Sequence, residues 1–186
     1  MMRKLMQSIP VYVFLMVSLM AVTQPQAALA ESSVSRPSQE RVTNAVRHEL
    51  LMIPQLGIFD DLSYKVDGGT VTLTGEVRNP VIKDEAQTAV RQIAGVDRVE
   101  NKIEILPYSF NDDRIRRQVA LAVFRDPWMH EYAVQPVPPI HIIVKNGRVD
   151  LEGVVDSQAA KNVAGIRANE TPGVFSVDNN LRVGKS

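Results

Sequence analysis

The sequence carries one passage twice. The segment 69–103 aligns without a gap with the segment 147–181, at a constant separation of 78 residues. An internal repeat of this length predicts two structural units, so we expect the chain of 186 residues to fold as two small domains. A domain of about 70 residues buries only about 60% of the surface that its unfolded chain exposes. We therefore expect the two copies to pack against each other.

Each copy shows the same order of predicted elements. In the first copy, apolar residues at helical spacing predict a helix that stops before Pro54, and a second helix is predicted over Pro80 to Ala94. Between them, a strand is followed by the glycine-containing turn 67–69 and by the alternating strand 70–77. A last strand is predicted from Val99 to Ile105. The order is helix, strand, strand, helix, strand.

The second copy repeats this order, with a proline-rich insertion of five residues between its first helix and its first strand. Each copy thus supplies three short strands whose apolar face two amphipathic helices can cover. This is a two-layer α+β arrangement, αββαβ in each domain. The predicted organisation is a signal peptide at 1–30, a flexible lead at 31–40, domains at 41–106 and 112–184, and a linker at 107–111.

The first 30 residues have the pattern of a secretory signal peptide. Arg3 and Lys4 precede an apolar stretch from Val11 to Val22, and small residues end the segment at Ala30. The apolar stretch is shorter than the roughly 20 residues that span a bilayer. We expect cleavage after Ala30 and a soluble protein in the bacterial periplasm, with an uncleaved membrane anchor as the alternative.

Composition excludes several kinds of chemistry. The chain has no cysteine, which excludes disulfides, thiolate metal sites and a lipid-modified cysteine. Its 21 basic residues equal its 21 acidic residues, so no nucleic-acid groove is indicated. His48, His130 and His141 lack the spacing of metal ligands, and no glycine-rich phosphate loop follows a strand. We expect no catalytic site, metal, cofactor or nucleic-acid partner.

Three pairs of adjacent acidic residues invite comparison with catalytic carboxylates. They lie in predicted loops or near predicted helix starts, where negative charge complements the helix dipole. We expect them to cap helices and not to act as acid and base. The pairs are Asp60-Asp61, Asp84-Glu85 and Asp112-Asp113.

Two short patterns in each copy resemble a known family. In the first copy the patterned residues are Gly69, Val71, Leu73, Gly75 and Val77, then Gly95, Val96, Val99, Asn101 and Ile103. In the second copy they are Gly147, Val149, Leu151, Gly153 and Val155, then Gly173, Val174, Val177, Asn179 and Leu181. These patterns resemble the BON domain, named for bacterial osmotically inducible periplasmic and nodulation proteins. The resemblance implies an αββαβ fold, a periplasmic location in a Gram-negative bacterium and a non-enzymatic envelope role, with phospholipid binding the usual suggestion.

The repeated glycines and asparagines are expected to serve the fold. Gly75 and Gly153 stand at inward positions of alternating strands, where we expect a close approach by the neighbouring helix. Asn101 and Asn179 fall on the apolar side of the last strand, so their amides need hydrogen-bond partners. The alternative for these amides is contact with a polar ligand.

The first helix of the second copy is apolar on two sides. Its core face is formed by Ile115, Val119, Ala122 and Val123, and a second apolar stripe with flanking arginines lies roughly opposite. The first copy has His48 and Leu51 at the corresponding outer positions. The candidate contact residues are Arg117, Leu121, Phe124, Arg125 and Trp128.

Aromatic and basic side chains together are typical of a membrane interface. The stripe therefore predicts peripheral contact with an anionic phospholipid membrane surface. There are two alternatives to membrane contact. In one, the stripe is a packing surface inside the protein, and in the other it binds an envelope protein.

Overall fold

A computed structural model describes residues 37–135 and 138–184. The predicted signal peptide, most of the predicted flexible lead and two residues of the proline-rich insertion lie outside the described residues. Two sheets and two hydrophobic core clusters divide the described chain into two domains. The predicted α+β class is confirmed.

The two domains use the same elements in the same order. Domain 1 contains α1 (Gln39–Leu51), β1 (Asp61–Asp67), β2 (Thr70–Val77), α2 (Pro80–Arg91), β3 (Arg98–Asn101) and β4 (Glu104–Ile105). Domain 2 contains α3 (Phe110–Phe124), α4 (His130–Ala133), β5 (Ile140–Lys145), β6 (Arg148–Val155), α5 (Gln158–Asn169), β7 (Ser176–Asn179) and β8 (Arg182–Val183). The short helix α4 lies between α3 and β5, in the stretch where the second copy is longer.

In each sheet the middle strand pairs with both neighbours. β1 and β2 form an antiparallel hairpin, and β3 and β4 both run parallel to β2. Domain 2 repeats this arrangement with β5, β6, β7 and β8. The third strand was expected to be continuous, but it is interrupted between β3 and β4. The interruption follows Asn101, whose side chain accepts a hydrogen bond from the backbone N–H of Ile103 at 3.2 Å.

The repeated glycines allow a close backbone contact within each sheet. Gly75 has φ +118°, and a Cβ there would lie 2.2 Å from the carbonyl oxygen of Asp61 on β1. Gly153 also has φ +118°, and its Cβ would lie 1.9 Å from the carbonyl oxygen of Pro139. The expected helix neighbour is therefore wrong. The close contact is with the adjoining strand's backbone, which the glycine admits because it has no side chain.

The helices cover one face of each sheet. α1 buries Val42, Val46 and Leu50, and α3 buries Ile115, Val119 and Val123 at the corresponding turns. Serine residues cap both helices, since the hydroxyl of Ser38 accepts from the N–H of Arg41 and that of Ser109 from Asp112. Inward residues of β2 and β6 complete the cores, including Leu73 and Leu151, which are at most 1% exposed.

The sheets meet through the faces that the helices leave open. Lys145 lies on this open face of β5, and its ammonium is 3.6 Å from Glu76 and 3.0 Å from Glu104 of domain 1. Ile143 is on the same face and is only 1% exposed, although it belongs to neither core cluster. The helices of each domain therefore lie on the side of their sheet away from this joint.

A loop of domain 1 completes the joint. The backbone N–H of Ile142 on β5 donates to the carbonyl of Ile58 at 2.7 Å, which pairs the edge of domain 2's sheet with domain 1. Nδ1 of His141 lies 2.6 Å from the carbonyl oxygen of Asp60. Between these two contacts, Phe59 packs against the core of domain 2. The domains share both backbone and side-chain contacts.

Candidate membrane-contact face of domain 2

Helix α3 is held firmly in domain 2, which fixes the direction of its solvent side. Asp112 in its first turn is 1% exposed and accepts hydrogen bonds from the N–H groups of Asn146 and Gly147, at 3.0 and 2.9 Å. These two donors form the β5–β6 turn, so one carboxylate joins the helix to the hairpin. Asp112 thus anchors a turn, which is more than the helix capping expected from the sequence.

Four of the five candidate contact residues are exposed. Leu121 is 50% exposed and Trp128 is 72% exposed, and the side chains of Arg117 and Arg125 are exposed as well. Neither arginine forms an ion pair in the part of the chain that the structure describes. We call Arg117, Leu121, Arg125 and Trp128 the outer face.

The helical periodicity predicted that Phe124 lies on the outer side of α3, but the structure places it differently. It is half-buried and packs against the core of domain 2. Trp128 lies beyond the last helical residue, in a turn where its backbone N–H donates to the carboxylate of Asp126 at 3.0 Å. The exposed apolar groups of the outer face are therefore one leucine on the helix and one tryptophan after it.

A groove of about 520 Å³ runs between α3 and α5, and Leu121 and Arg125 line it. Arg167 of α5 also lines it, but its guanidinium pairs with Asp126 at 2.9 Å and Glu170 at 3.0 Å. The backbone N–H of Trp128 and the Arg167 guanidinium lower the pKa of Asp126, so this carboxylate stays ionised and keeps its ion pair with Arg167. Arg125 is the guanidinium of this groove that remains available to an anion.

The repeated asparagines lie between strand and helix, within each domain. The amide NH₂ of Asn101 donates to the carbonyl of Lys83 on α2 at 3.0 Å, and that of Asn179 donates to Lys161 on α5 at 2.7 Å. Each side-chain oxygen accepts from the backbone two residues further on, at Ile103 or Leu181. These amides are therefore occupied by internal contacts.

Three exposed aromatic residues were missed by the sequence reasoning. Tyr108 and Phe110 are each 78% exposed and form an edge-to-face pair with ring centroids 5.0 Å apart. Phe175 is 77% exposed, with the Arg148 guanidinium 5.8 Å from its ring centre. The repeat contained a signal for Phe175, since the first copy has Asp97 at that position.

The described ranges, 37–135 and 138–184, contain no helix that is long and apolar enough to cross a bilayer. Neither holds a group of three or more histidine, aspartate or glutamate side chains placed to bind a metal ion.

These features define a class: a protein of two αββαβ domains, each with an open sheet face, joined through those faces. The sequence matches the BON domain over residues 38–107 and 111–185, so the chain belongs to the BON-domain family. The resemblance found in the repeated glycine and asparagine patterns is confirmed.

The chain is also similar to an individual protein, at low sequence identity. The chain is 29% identical over 131 residues to osmotically-inducible protein Y of Escherichia coli (strain K12). The match covers 66% of this chain and 61% of that protein, so the chain spans less than two thirds of the relative's length.

Among solved structures, one match is the C-terminal domain of CdsD, a structural protein of the type III secretion system of Chlamydia trachomatis. It has 13% identity and a TM-score of 0.29, and the match covers 80% of this chain and 100% of that chain. A second CdsD structure has 12% identity and a TM-score of 0.28, covering 78% of this chain and 94% of its own.

Proposed function

We propose that this is a non-enzymatic envelope protein whose domain 2 binds phospholipid membrane surfaces through the outer face. The observation that carries the proposal is the 72% exposure of Trp128, the chain's one tryptophan, together with two arginines that form no ion pair among the described residues. An indole ring is favoured at the level of lipid headgroups, and a guanidinium binds phosphate oxygens through paired hydrogen bonds. The burial of the opposite side of α3 also supports the proposal, because the outer face can contact a membrane without a change of fold.

The proposed contact is peripheral and electrostatic in part. Each basic residue near an anionic surface contributes about 1 kcal/mol, and this attraction is screened within about 10 Å at 0.1 M salt. With two such arginines and one inserted ring, binding is reversible and decreases as salt is added. The chain as a whole has no excess of basic residues, so the contact depends on local charge.

Liposome sedimentation tests the proposal. The protein should bind vesicles rich in phosphatidylglycerol, bind neutral phosphatidylcholine vesicles much less, and lose binding in high salt. The variant Leu121→Ser with Trp128→Ser should keep its fold, because both side chains are exposed, and should lose most of the binding. Phe124 is left unchanged because it packs against the core.

The matched control changes the corresponding surface of domain 1. His48→Ser with Leu51→Ser should leave vesicle binding unchanged, since these residues lie on the exposed side of α1. Trp128 emission should shift to the blue on adding anionic vesicles. Emission that does not move, together with equal binding by the serine variant, would rule out the outer face as the lipid contact.

We also propose export and a role in envelope stress. The signal-peptide pattern supports export to the periplasm with cleavage after Ala30, and the relative's name, osmotically-inducible protein Y, supports expression under osmotic stress. N-terminal sequencing of the periplasmic fraction should begin at Glu31. Membrane-bound material beginning at Met1 would contradict cleavage.

The alternative proposal is that the outer face binds an envelope protein. The absence of net basic charge favours it, because strong binding to anionic lipid usually needs several basic residues. A protein complex of this kind should survive mild detergent and co-purify, whereas lipid binding should not. Loss of co-purification with Leu121→Ser and Trp128→Ser, without any loss of vesicle binding, would select this alternative.

A further inference from the structure

Domain 1 contains the counterpart of the α3–α5 groove, and the two grooves have different charge. The domain 1 groove lies between α1 and α2 and has a volume of about 490 Å³. Its wall has an apolar part and three acidic residues, and it contains no basic residue. The apolar residues include Met52, Ile53 and Val81, and the acidic residues are Glu49, Asp84 and Glu85. We call it the acidic groove.

The acidic residues have no acidic counterparts in domain 2. Ala122, Asn162 and Val163 stand at the positions that correspond to Glu49, Asp84 and Glu85. Arg125 stands at the position of Met52. Corresponding pairs of helices build the two grooves over the same kind of core, so the shared fold does not require this difference in charge.

The carboxylates of the acidic groove lack cationic partners. In residues 37–135 and 138–184, none of the three forms an ion pair. The Oε2 atom of Glu85 is buried without a hydrogen-bond partner. Three like charges beside one apolar wall favour an incoming group that is both cationic and apolar, because it would supply the missing donors and cover the wall.

The outer face of domain 2 has this chemistry. Beside Leu121 and the Trp128 ring it presents two guanidiniums that form no ion pair within residues 37–135 and 138–184. Since the sheets meet through their open faces, the helices of each domain lie away from the joint. The acidic groove and the outer face of one molecule are therefore on separate sides, where each is accessible to a different molecule.

We propose that the protein associates head to tail, with the outer face of one copy docked in the acidic groove of a second copy. The contact joins two different surfaces, so it leaves a free groove at one end and a free outer face at the other, and further copies can add. It does not rest on membrane binding. Because it uses the same outer face, lipid and a second copy compete for that face.

Sedimentation velocity of the purified protein without lipid tests the proposal. At low salt, the average mass should rise with protein concentration, and about 0.5 M salt should return the protein to monomer because it screens the charges. Asp84→Lys and Arg125→Glu should each abolish the rise. Both side chains are exposed, so the thermal unfolding of each variant should match that of the parent protein.

A control carries the same change of charge at another place. Glu40→Lys lies in the first turn of α1, at the end of the helix away from Met52, and its side chain is exposed. This variant should associate as the parent protein does. If it loses association equally, a general effect of net charge explains the result and the docking contact is wrong.

Mixing the two disabled variants gives the sharpest test. Asp84→Lys retains an intact outer face, and Arg125→Glu retains an intact groove, so an equimolar mixture should form dimers with one copy of each. These dimers should not grow, because both remaining ends are disabled. A parent protein that stays monomeric at every concentration, or a mixture that stays monomeric, would overturn the proposal while leaving the membrane contact untouched.

Discussion

At the scale of single residues, two buried carboxylates hold turns and loops in place by accepting hydrogen bonds from backbone N–H groups. Asp112 accepts from two N–H groups of the β5–β6 turn. Asp60 is also fully buried, and its carboxylate accepts from the N–H groups of Arg78 at 2.7 Å and Gly57 at 3.3 Å. A charged acceptor that holds two backbone donors stabilises a turn more than a neutral acceptor does.

Removal of the Asp112 carboxylate should destabilise domain 2 strongly. Asp112→Ala leaves two backbone donors of the turn without their acceptor, and each buried unpaired group costs about 1–3 kcal/mol, so we expect a loss of roughly 2–6 kcal/mol. Urea unfolding measures it. Asp112→Asn keeps one acceptor oxygen and should lose less. Equal stability of Asp112→Ala and the parent protein would show that the turn does not need this anchor.

At the scale of elements, the repeat sets most of what could be predicted. The strand β2 and helix α2 recur in domain 2 as β6 and α5, with the same lengths and the same separation. Alternation, helical spacing and turn glycines encode these elements locally, so one sequence suffices to find them. The break after Asn101 was missed, because it depends on a side-chain hydrogen bond that no periodicity records.

The outer face likewise has features that the sequence predicts and features that it does not predict. The exposure of Leu121 follows from helical spacing, since its position opposes the core residues of α3. The half-burial of Phe124 does not follow, because a residue at the boundary of an apolar face is buried or exposed according to what packs beside it. The burial of Ile143 depends on the other domain, so the sequence pattern of its own domain does not predict it either.

Gly75→Ala should weaken the β1–β2 pairing. An alanine at φ +118° is strained, and its methyl group would lie 2.2 Å from the carbonyl oxygen of Asp61. We therefore expect the free energy of unfolding to fall by about 1–3 kcal/mol or more. Thermal unfolding monitors the change. Gly57→Ala is the control, because its Cβ would lie 3.8 Å from the nearest atom and the change should stay within about 0.5 kcal/mol. Similar stability of the two variants would contradict the close contact.

At the scale of the whole molecule, the joint makes two domains behave as one. Phe59 belongs to domain 1 but packs against the core of domain 2, with the Arg78 guanidinium 5.0 Å from its ring centre. Together with the backbone bond from Ile142 to Ile58, this contact couples the two cores. The parent protein should therefore unfold in a single calorimetric transition.

Phe59→Ala should separate that transition into two. The substitution removes a partly buried ring from the joint, which we expect to cost about 1–3 kcal/mol and to let domain 2 melt first. Differential scanning calorimetry distinguishes one transition from two. Leu51→Ala, an exposed change in the same domain, should leave a single transition. One unshifted transition in Phe59→Ala would mean that other contacts hold the domains together.

The joint should also respond to pH through Asp61. Burial raises the pKa of Asp61, and Glu152 raises it further, although His141 and Arg182 oppose them. All three charged neighbours belong to domain 2. A raised pKa means that the folded state binds more protons than the unfolded state, so Asp61 opposes folding at neutral pH and this penalty disappears as the pH falls.

Asp61→Asn should accordingly raise the melting temperature at pH 7, and its advantage over the parent protein should shrink toward pH 4. Melting curves from pH 4 to pH 8 measure the difference. Glu40→Gln, which changes an exposed carboxylate away from the joint, should change the melting temperature much less than Asp61→Asn does. A variant less stable than the parent protein at pH 7 would show that the contacts of Asp61 outweigh its desolvation.

We expect the hydrogen bond from the Ile142 N–H to the Ile58 carbonyl also to limit aggregation. β5 is the outermost strand of its sheet, and an uncovered outer strand is a template on which other chains can add as strands. Domain 1 covers this edge and hides Ile143 beneath it. Proteolytic cleavage in the loop before β1 would break the segment that carries Ile58 and loosen this cover, so we expect the cleaved protein to pair with other chains through β5 more readily than the intact protein does.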